Sequence, residues 1–189
     1  MTLLDKTPLT KMVALRPAQP GDAALLEAWR SESSVRKYQP IGVATTGQLR
    51  QELERQRIGD VNRGHGEKFQ WIICADDQPA GWITLVVTNW EHGLAEIGYA
   101  LSTDFQQCGM MPQALTQLLA ELFLQTKLER IEARCAIDNV PSQKVLERVG
   151  FYREGQLRGY FVLDGVRVDN HLYAILRDDF LPVPDELSN

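Results

Sequence analysis

Residues 69–123 restrict the possible folds more than any other part of the chain. Three strand-like runs, at residues 69–75, 81–88 and 94–101, are separated by short turns. Two hairpins of one antiparallel sheet explain this pattern economically. A helix follows, because apolar residues recur at steps of three and four from Met111 to Phe123 and so form one apolar face. Pro112 lies in the first turn of this helix, where a missing N–H does no harm.

The segment before this block predicts a short strand and two helices. Residues 13–16 have the pattern of a strand that Pro17 ends. A helical pattern then opens at Gly21-Asp22. Its predicted apolar face consists of Ala24, Leu25, Ala28 and Trp29. Thr45-x-x-Gln48 is typical of a capping box, which predicts that a second helix begins there.

The segment after the block predicts a strand, a helix and a hairpin. Residues 131–136 form a short strand, and residues 139–149 form a helix that ends at Gly150. Asp164-Gly165 is a two-residue turn between two strand-like runs. We therefore predict one α/β domain at residues 13–180, with a flexible N-terminal arm at residues 1–12 and a C-terminal tail at residues 181–189.

Composition and charge narrow the class of protein. The chain of 189 residues is 44% hydrophobic and 24% charged, which is typical of one globular domain with a buried core. Its formal net charge of -5 disfavours general affinity for nucleic acid, which needs a positive field. Three cysteines, with no C-x-x-C pair, argue against a disulfide framework or a zinc site. No signal peptide or membrane-length apolar stretch is visible, so we expect a cytoplasmic protein without nucleic-acid or membrane partners.

The join between the third strand and the long helix is a candidate anion site. A helix N-terminus offers unpaired N–H groups and a partial positive charge, and Gly109 lets the backbone approach an anion closely. These features together are able to bind a pyrophosphate. A turn glycine with no further role explains the same residues, so this join alone does not identify a function.

Several motifs taken together resemble the GNAT superfamily of acetyl-CoA-dependent N-acetyltransferases. Gln106, Gly109 and Met111 match that family's Gln/Arg-x-x-Gly-x-Gly/Ala motif at the pyrophosphate-binding helix. Asn139-x-x-Ser142 is similar to the RimJ/RimL-like branch, which acetylates N-terminal amines of ribosomal proteins. An ordinary helix start is the alternative explanation of this second motif, since Asn139 is a good N-cap.

Further segments support the same resemblance. Gly150-Phe151 and residues 95–99 look like parts of that branch, and residues 154–155 and 165–173 look like its closing hairpin. The resemblance extends from about residue 13 to residue 177. It implies a single GNAT-like α/β domain, with a mixed, mostly antiparallel sheet of about seven strands flanked by helices. It also implies that the central strands at residues 94–101 and 131–136 splay apart to admit pantetheine.

Three residues depart from the family pattern. Met111 stands where the superfamily usually has a small residue, and Cys108 stands where a basic or small residue is commoner. Leu146 occupies the position where many members have a tyrosine general acid. In this chain, therefore, either no residue acts as that general acid or a residue at another position does.

The resemblance implies direct transfer of an acetyl group from acetyl-CoA to a neutral amine in a ternary complex, without a metal. Glu96 is then the candidate general base, directly or through water. Its alternative is a strand glutamate paired with an arginine in solvent. Ser142 is the candidate partner of the leaving thiolate, as a proton donor or as a hydrogen-bond donor.

The resemblance also implies two sets of binding residues. The acetyl-CoA set is Tyr99, Leu101, Ser102, Gln106, Gln107, Cys108, Gly109, Met110, Met111 and Asn139. The acceptor set is Trp29, Tyr38, Tyr160, Asp169 and Tyr173, because acidic and aromatic side chains suit a cationic amine. Each aromatic residue of the acceptor set has a core position as its alternative.

The acceptor itself stays open at this point. A protein N-terminal amine is favoured by the branch resemblance, while a polyamine or an antibiotic amine is the alternative. An acyl-CoA-binding protein of the same fold without turnover is a further possibility, as is an unrelated α/β binding domain. The chain is expected to be a monomer or a homodimer.

Overall fold

The computed structural model describes residues 12–56 and 58–180. The predicted tail, and the predicted arm except Met12, lie outside the described residues. Within these ranges, seven strands form one sheet. In chain order they are β1 (Val13–Pro17), β2 (Lys68–Ala75), β3 (Gln78–Asn89), β4 (Leu94–Leu101), β5 (Arg130–Ala136), β6 (Tyr152–Leu163) and β7 (Val166–Leu176).

The strands lie in the order β1-β2-β3-β4-β5-β7-β6. All neighbouring pairs are antiparallel except β4 and β5, which are parallel. The two hairpins that residues 69–101 predict are therefore confirmed as β2–β3 and β3–β4. The third predicted hairpin is also present, since Asp164 (φ 49°) and Gly165 (φ 81°) form the turn between β6 and β7. Two consecutive positive φ angles suit the right-handed twist of the flanking strands.

The parallel strands β4 and β5 separate soon after they meet. Their ladder contains three pairs, which join Leu94 to Arg130, Ala95 to Ile131 and Glu96 to Glu132. Beyond Glu96, β4 continues along β3 to Leu101, while β5 continues along β7. The two strands therefore diverge and leave a V-shaped gap at their carboxyl ends. This confirms the splayed centre that the family resemblance implies.

Helices cover both faces of the sheet. They are α1 (Ala23–Ser31), α2 (Ser33–Arg36), α3 (Thr46–Arg55), α4 (Ile58–Val61), α5 (Met110–Gln125) and α6 (Val140–Val149). Alternate residues of β2 point to opposite faces, as the pleat requires. Phe69, Trp71 and Ile73 belong to the core that contains α5, whereas Ile72 and Cys74 belong to the core that contains α1 and α3. Within the described ranges, no helix is both long enough and apolar enough to cross a membrane.

Local sequence signals set the ends of several helices. The Thr45 hydroxyl accepts a hydrogen bond from the Gln48 N–H, and the Gln48 side chain accepts one from the Thr45 N–H at 2.9 Å, so the predicted capping box is present. Gly150 ends α6 in the left-handed region with φ 104°. Pro112 lies in the first turn of α5, as its position in the sequence predicts.

The predicted face of α1 is only partly correct. The buried residues are Ala23, Leu26 and Trp29, while Ala24 and Ala28 are exposed. Trp29 stacks on Trp82 of β3, with ring centroids 6.1 Å apart and planes 10° apart. This aromatic pair fixes the rotation of the helix on the sheet and brings Leu26, one turn earlier, into the core.

Candidate active site

The loop from β4 to α5 has the shape of an anion-binding site. Gly109 is the N-cap of α5 with φ 71°, and Gln107 is also left-handed with φ 62°. No side chain of the described residues caps this end of the helix. A Cβ atom at Gly109 would meet nothing within 4 Å, so the space beside the backbone is open. Because the first N–H groups of α5 have no intrahelical partner, the loop fits a pyrophosphate.

Side-chain hydrogen bonds hold this loop against the end of β4 and against α2. Gln106 Nε2 donates to the Leu101 carbonyl at 3.0 Å and to Ser34 Oγ at 3.2 Å. The Thr103 N–H donates to Glu32 Oε2 at 2.7 Å. The motif glutamine therefore positions the loop, and the backbone is left to contact an anion.

The first cavity opens between this loop, the end of β4 and α6. Its volume is about 370 Å³. Gly109, Met110 and Met111 line its loop side, and Lys144 and Arg148 of α6 bring two positive charges to it. A groove that joins a helix N-terminus to the gap between splayed strands has the form that an acetyl-CoA molecule needs. The predicted acetyl-CoA residues that line it are Tyr99, Leu101, Gln106, Gln107, Gly109, Met110, Met111 and Asn139.

Two hydroxyl groups meet where β4 and β5 diverge. The Tyr99 hydroxyl lies 2.9 Å from Ser142 Oγ and also donates to the Ser142 carbonyl at 3.4 Å. Burial raises the pKa of Tyr99 well above its usual range, so this hydroxyl keeps its proton. Asn139 Oδ1 accepts a hydrogen bond from the Ser142 N–H at 3.3 Å and caps α6. The start of α6 thus holds Ser142 against Tyr99.

The second cavity, of about 240 Å³, lies in the gap between β4 and β5. Glu96 lines it and forms an ion pair with Arg134, whose guanidinium also donates to Glu132 at 3.1 Å. The guanidinium lies over the ring of Tyr160, 5.4 Å from its centroid. Glu96 therefore has a feature of each interpretation. It faces the cavity, as a general base must, and it is also paired with an arginine, as a structural strand glutamate would be.

The two cavities are neighbours. Tyr38, Gln39, Tyr99, Asn139 and Ser142 line both of them. Since the Tyr99–Ser142 pair lines both cavities, an acyl thioester in the first cavity and an amine in the second would meet near it. The structure thus brings together the two predicted catalytic residues, most of the predicted acetyl-CoA residues, and Tyr38 and Tyr160 of the predicted acceptor set.

Three other predicted acceptor residues lie elsewhere in the fold. Trp29 is 5% exposed and belongs to the core beneath α1, and Tyr173 is fully buried with its hydroxyl 3.2 Å from Glu147 Oε1. Asp169 accepts hydrogen bonds from the Gly159 N–H and from Gln156 Nε2, both at 2.7 Å, which hold its pKa below its usual value. Neither described cavity has these three residues in its lining.

Asp169 contacts the backbone of β6 near the second cavity. The register of β6 against β7 shifts between Leu157 and Phe161, and Asp169 binds the Gly159 N–H inside this bulge. Tyr160 within this bulge and Phe161 at its end line the second cavity. A bulge changes the direction of the side chains beside it, and Asp169 binds the backbone at the same bulge.

Two predicted acetyl-CoA residues are also placed differently. Ser102 is 5% exposed, and its N–H donates to the Ala80 carbonyl at 2.9 Å. The Cys108 side chain is exposed, with Sγ 3.3 Å from the Gln106 carbonyl. Neither residue lines the first cavity as described.

Gln39 and Arg134 are site residues that the sequence analysis did not identify. Gln39 Nε2 donates to the Tyr99 carbonyl at 3.3 Å and so joins the loop after α2 to the divergent part of β4. No motif marks Gln39. The alternation along β5 places Arg134 on the same face as Glu132, which was the one available signal.

The thiol of Cys135 lies beside the site but is not suited to nucleophilic attack. The residue is 3% exposed, and its Sγ lies 3.5 Å from the Asn139 carbonyl. Burial raises the pKa of the Cys135 thiol, which disfavours the thiolate. All three cysteines of the chain are free.

Comparison with known proteins defines the class to which this fold and site correspond. The model of the acetyltransferase (GNAT) domain matches residues 13–152. The chain belongs to this family of acetyltransferases. It is 30% identical over 177 residues to the uncharacterized N-acetyltransferase p20 of Bacillus licheniformis, covering 93% of this chain and 98% of the relative.

Other relatives carry more specific names. The chain is 31% identical over 132 residues to the [ribosomal protein uS5]-alanine N-acetyltransferase of Escherichia coli (strain K12), covering 67% of this chain and 68% of that protein. Among solved structures it is similar to Mycobacterium smegmatis RimJ in complex with CoA-disulfide. That match has a TM-score of 0.79 and 28% identity, over 92% of this chain and 86% of the other. The spermidine N-acetyltransferase of Vibrio cholerae, with CoA and spermine, shares the fold at a TM-score of 0.76 and 20% identity, over 88% of this chain and 96% of the other.

Proposed function

We propose that this acetyltransferase transfers acetyl from acetyl-CoA directly to a primary amine, and that the acceptor is the α-amine of a protein N-terminus. The observation that carries the proposal is the meeting of two cavities at the Tyr99–Ser142 pair, in the gap between β4 and β5. One cavity leads to a phosphate-binding loop and the other contains a carboxylate. Two substrates held on opposite sides of one gap react without a covalent enzyme intermediate.

The chain's own residues supply each part of such a transfer. Backbone N–H groups at the start of α5 hold the pyrophosphate. Tyr99 and Ser142 stabilise the leaving thiolate by hydrogen bonds, and Tyr99 fills the place that Leu146 leaves without a hydroxyl. Glu96 takes the proton of the ammonium group, directly or through water. Fixed donors and acceptors of this kind stabilise the charge that develops during acyl transfer.

The state of Cys135 supports direct transfer over an acyl-cysteine intermediate. An acyl-enzyme needs a thiolate that is accessible to the thioester. Here the thiol is buried and burial favours its protonated form. The hydroxyl pair, in contrast, lines both cavities.

A protein acceptor is supported by the named activity of the Escherichia coli relative, which acts on a ribosomal protein. A small-molecule amine is the second candidate, since the fold is shared with a spermidine N-acetyltransferase. The test begins with calorimetric titration of acetyl-CoA into the purified protein. Release of free thiol is then measured with peptides, spermidine and an aminoglycoside as acceptors. Peptide turnover confirms the proposal, turnover of spermidine alone assigns a small-molecule acceptor, and binding without any turnover shows a non-catalytic acyl-CoA-binding protein.

A further inference from the structure

A third cavity lies against the β4 strand beside the acceptor cavity. Its volume is about 250 Å³, and it lies between the end of α1 and the paired strands β3 and β4. It shares Gln39, Gly98 and Tyr99 with the second cavity. Glu96 and Gly98 are two residues apart on β4 and therefore lie on the same face of the strand. A Cβ atom at Gly98 would meet nothing within 4 Å, so open space continues over this residue from one cavity towards the other.

Arg30 is the only charged residue among the described residues that line this third cavity. Its Nε atom is buried and has no hydrogen-bond partner in the described part of the chain. No ion pair of the described residues includes Arg30. Burial lowers the pKa of the guanidinium below its ordinary value, although the group remains charged. A partly buried guanidinium that forms no ion pair with the described residues and has an unbonded Nε is costly, and a bound anion would lower that cost.

Two carboxylates on the elements around Arg30, Glu52 and Glu96, form ion pairs with other residues. Glu52, which acts on Arg30 electrostatically, forms an ion pair with Lys68 at 2.7 Å. Glu96, on the same face of β4 as Gly98, is paired with Arg134. The partial negative charge at the C-terminus of α1 offsets part of the charge of Arg30, which lies in its last turn. It supplies no hydrogen-bond acceptor to the unpartnered Nε.

We propose that Arg30 binds a carboxylate carried by the amine acceptor, so that the substrate class is an amine with an acidic group close to its reactive nitrogen. This inference rests on the proposed function. In a protein acceptor the acidic group is the side chain of Asp or Glu in the first few residues. In a small acceptor it is a carboxylate on the same molecule. A polyamine is disfavoured, because it would place a second positive charge beside Arg30.

The test uses matched peptides that share one N-terminal residue and carry either Glu or Gln at the second, third or fourth position. For at least one position, the Glu peptide is expected to have a kcat/KM about tenfold or more above that of the Gln peptide, because charge-assisted hydrogen bonds are the stronger class. The Arg30→Gln variant is expected to lose this preference, so that its kcat/KM values for each matched pair of Glu and Gln peptides become equal. The Arg30→Lys variant keeps part of the preference. Arg50→Gln, on the exposed side of α3, is the matched control and leaves the preference intact.

The same peptides are also titrated into the CoA-bound protein, which tests recognition of the carboxylate without turnover. A Glu preference that Arg30→Gln abolishes, in either assay, confirms the inference. Equal values for Glu and Gln peptides at all three positions overturn it, while turnover of both leaves the acetyltransferase proposal standing. A preference that persists in Arg30→Gln also overturns it and places the anion site elsewhere. A β-amino acid and its amide repeat the comparison for small acceptors.

Discussion

The hydroxyl pair at the junction of the cavities makes the sharpest prediction about catalysis. Tyr99→Phe removes one hydroxyl and keeps the ring, and Ser142→Ala removes the other. The two oxygens are 2.9 Å apart in the wild-type protein. If the pair stabilises the leaving thiolate as one unit, each single variant loses the same interaction. The double variant then loses little more than either single one.

The expected size of the effect comes from the type of hydrogen bond. A hydrogen bond to a charged group contributes about 1.5–3 kcal/mol, which corresponds to roughly a 10- to 150-fold change in rate. The loss is expected in kcat, because the charge on sulfur develops only in the transition state. Neither hydroxyl is expected to change the affinity for acetyl-CoA by more than a few fold. The pyrophosphate loop, which supplies that affinity, does not include them.

The assay is steady-state release of free thiol from acetyl-CoA with one accepted peptide, for the wild type, both single variants and the double variant. Calorimetry gives the affinity of each variant for acetyl-CoA, and thermal unfolding gives its stability. Tyr152→Phe is the matched control, since Tyr152 is 67% exposed on β6. The control is expected to behave as the wild type in all three measurements.

Two results would refute this reasoning. An unchanged kcat in both single variants, with lowered thermal stability, would show that the hydroxyl pair only supports the fold. Losses in kcat that multiply in the double variant would show that the two hydroxyls act independently, so that Tyr99 does not act through Ser142.

Three further predictions concern the phosphate loop, the base and the acid stability of the fold. Gly109→Glu places bulk and negative charge at the start of α5 and is expected to abolish acetyl-CoA binding in calorimetry, whereas Gly165→Glu, which has a similar positive φ in an open hairpin turn, retains it. Glu96→Gln is expected to lower kcat/KM about 100-fold or more and to alter its pH profile while acetyl-CoA affinity is kept, and equal activity at every pH would exclude Glu96 as the base. Burial acts to raise the pKa of Asp22, but hydrogen bonds from Arg16, at 2.7 and 2.8 Å, and from the Gln19 N–H lower it overall. The stability that Asp22 contributes is therefore present above its unfolded pKa and lost as the pH falls through its folded pKa, so Asp22→Asn should lower the free energy of unfolding at neutral pH and have little effect in strong acid.

Much of the architecture could be predicted from local pattern. The run of strands at residues 69–101 and the helix after it were correct, because a strand buried on both faces and an amphipathic helix have periods that the sequence displays directly. The capping box at Thr45 and the turn at Asp164-Gly165 were correct for a similar reason. Each depends on interactions within four residues. The predicted buried face of α1 was only partly correct, since the stacking of Trp29 on Trp82 joins elements that are far apart in the chain.

The candidate site also contains residues that could be predicted from local sequence and residues that could not. Residues that act through their own backbone, such as Gly109 and Met110 in the phosphate loop, could be found from one short motif. Residue type alone does not distinguish an aromatic residue of the acceptor cavity from one of the core. Tyr160 faces the second cavity, for example, while Tyr173 is buried in the core. The difference depends on contacts between elements that are distant in the chain, since Tyr173 is hydrogen-bonded to Glu147 of α6 whereas Tyr160 lies beside Arg134 of β5.

The sequence by itself indicated the family through its motifs, and it predicted the succession of seven strands and four helices along the chain, although not the short helices α2 and α4. It also predicted the loop that fits a pyrophosphate. These features depend on spacing along the chain. The tertiary structure alone decided that the Tyr99 hydroxyl meets Ser142, that Glu96 is paired with Arg134, and that the buried Nε of Arg30 has no hydrogen-bond partner among the described residues. Tyr99 and Ser142 are 43 residues apart in the chain, and Glu96 and Arg134 are 38 apart. No local pattern records such contacts, since they arise only when the divergence of β4 and β5 brings distant side chains to one gap.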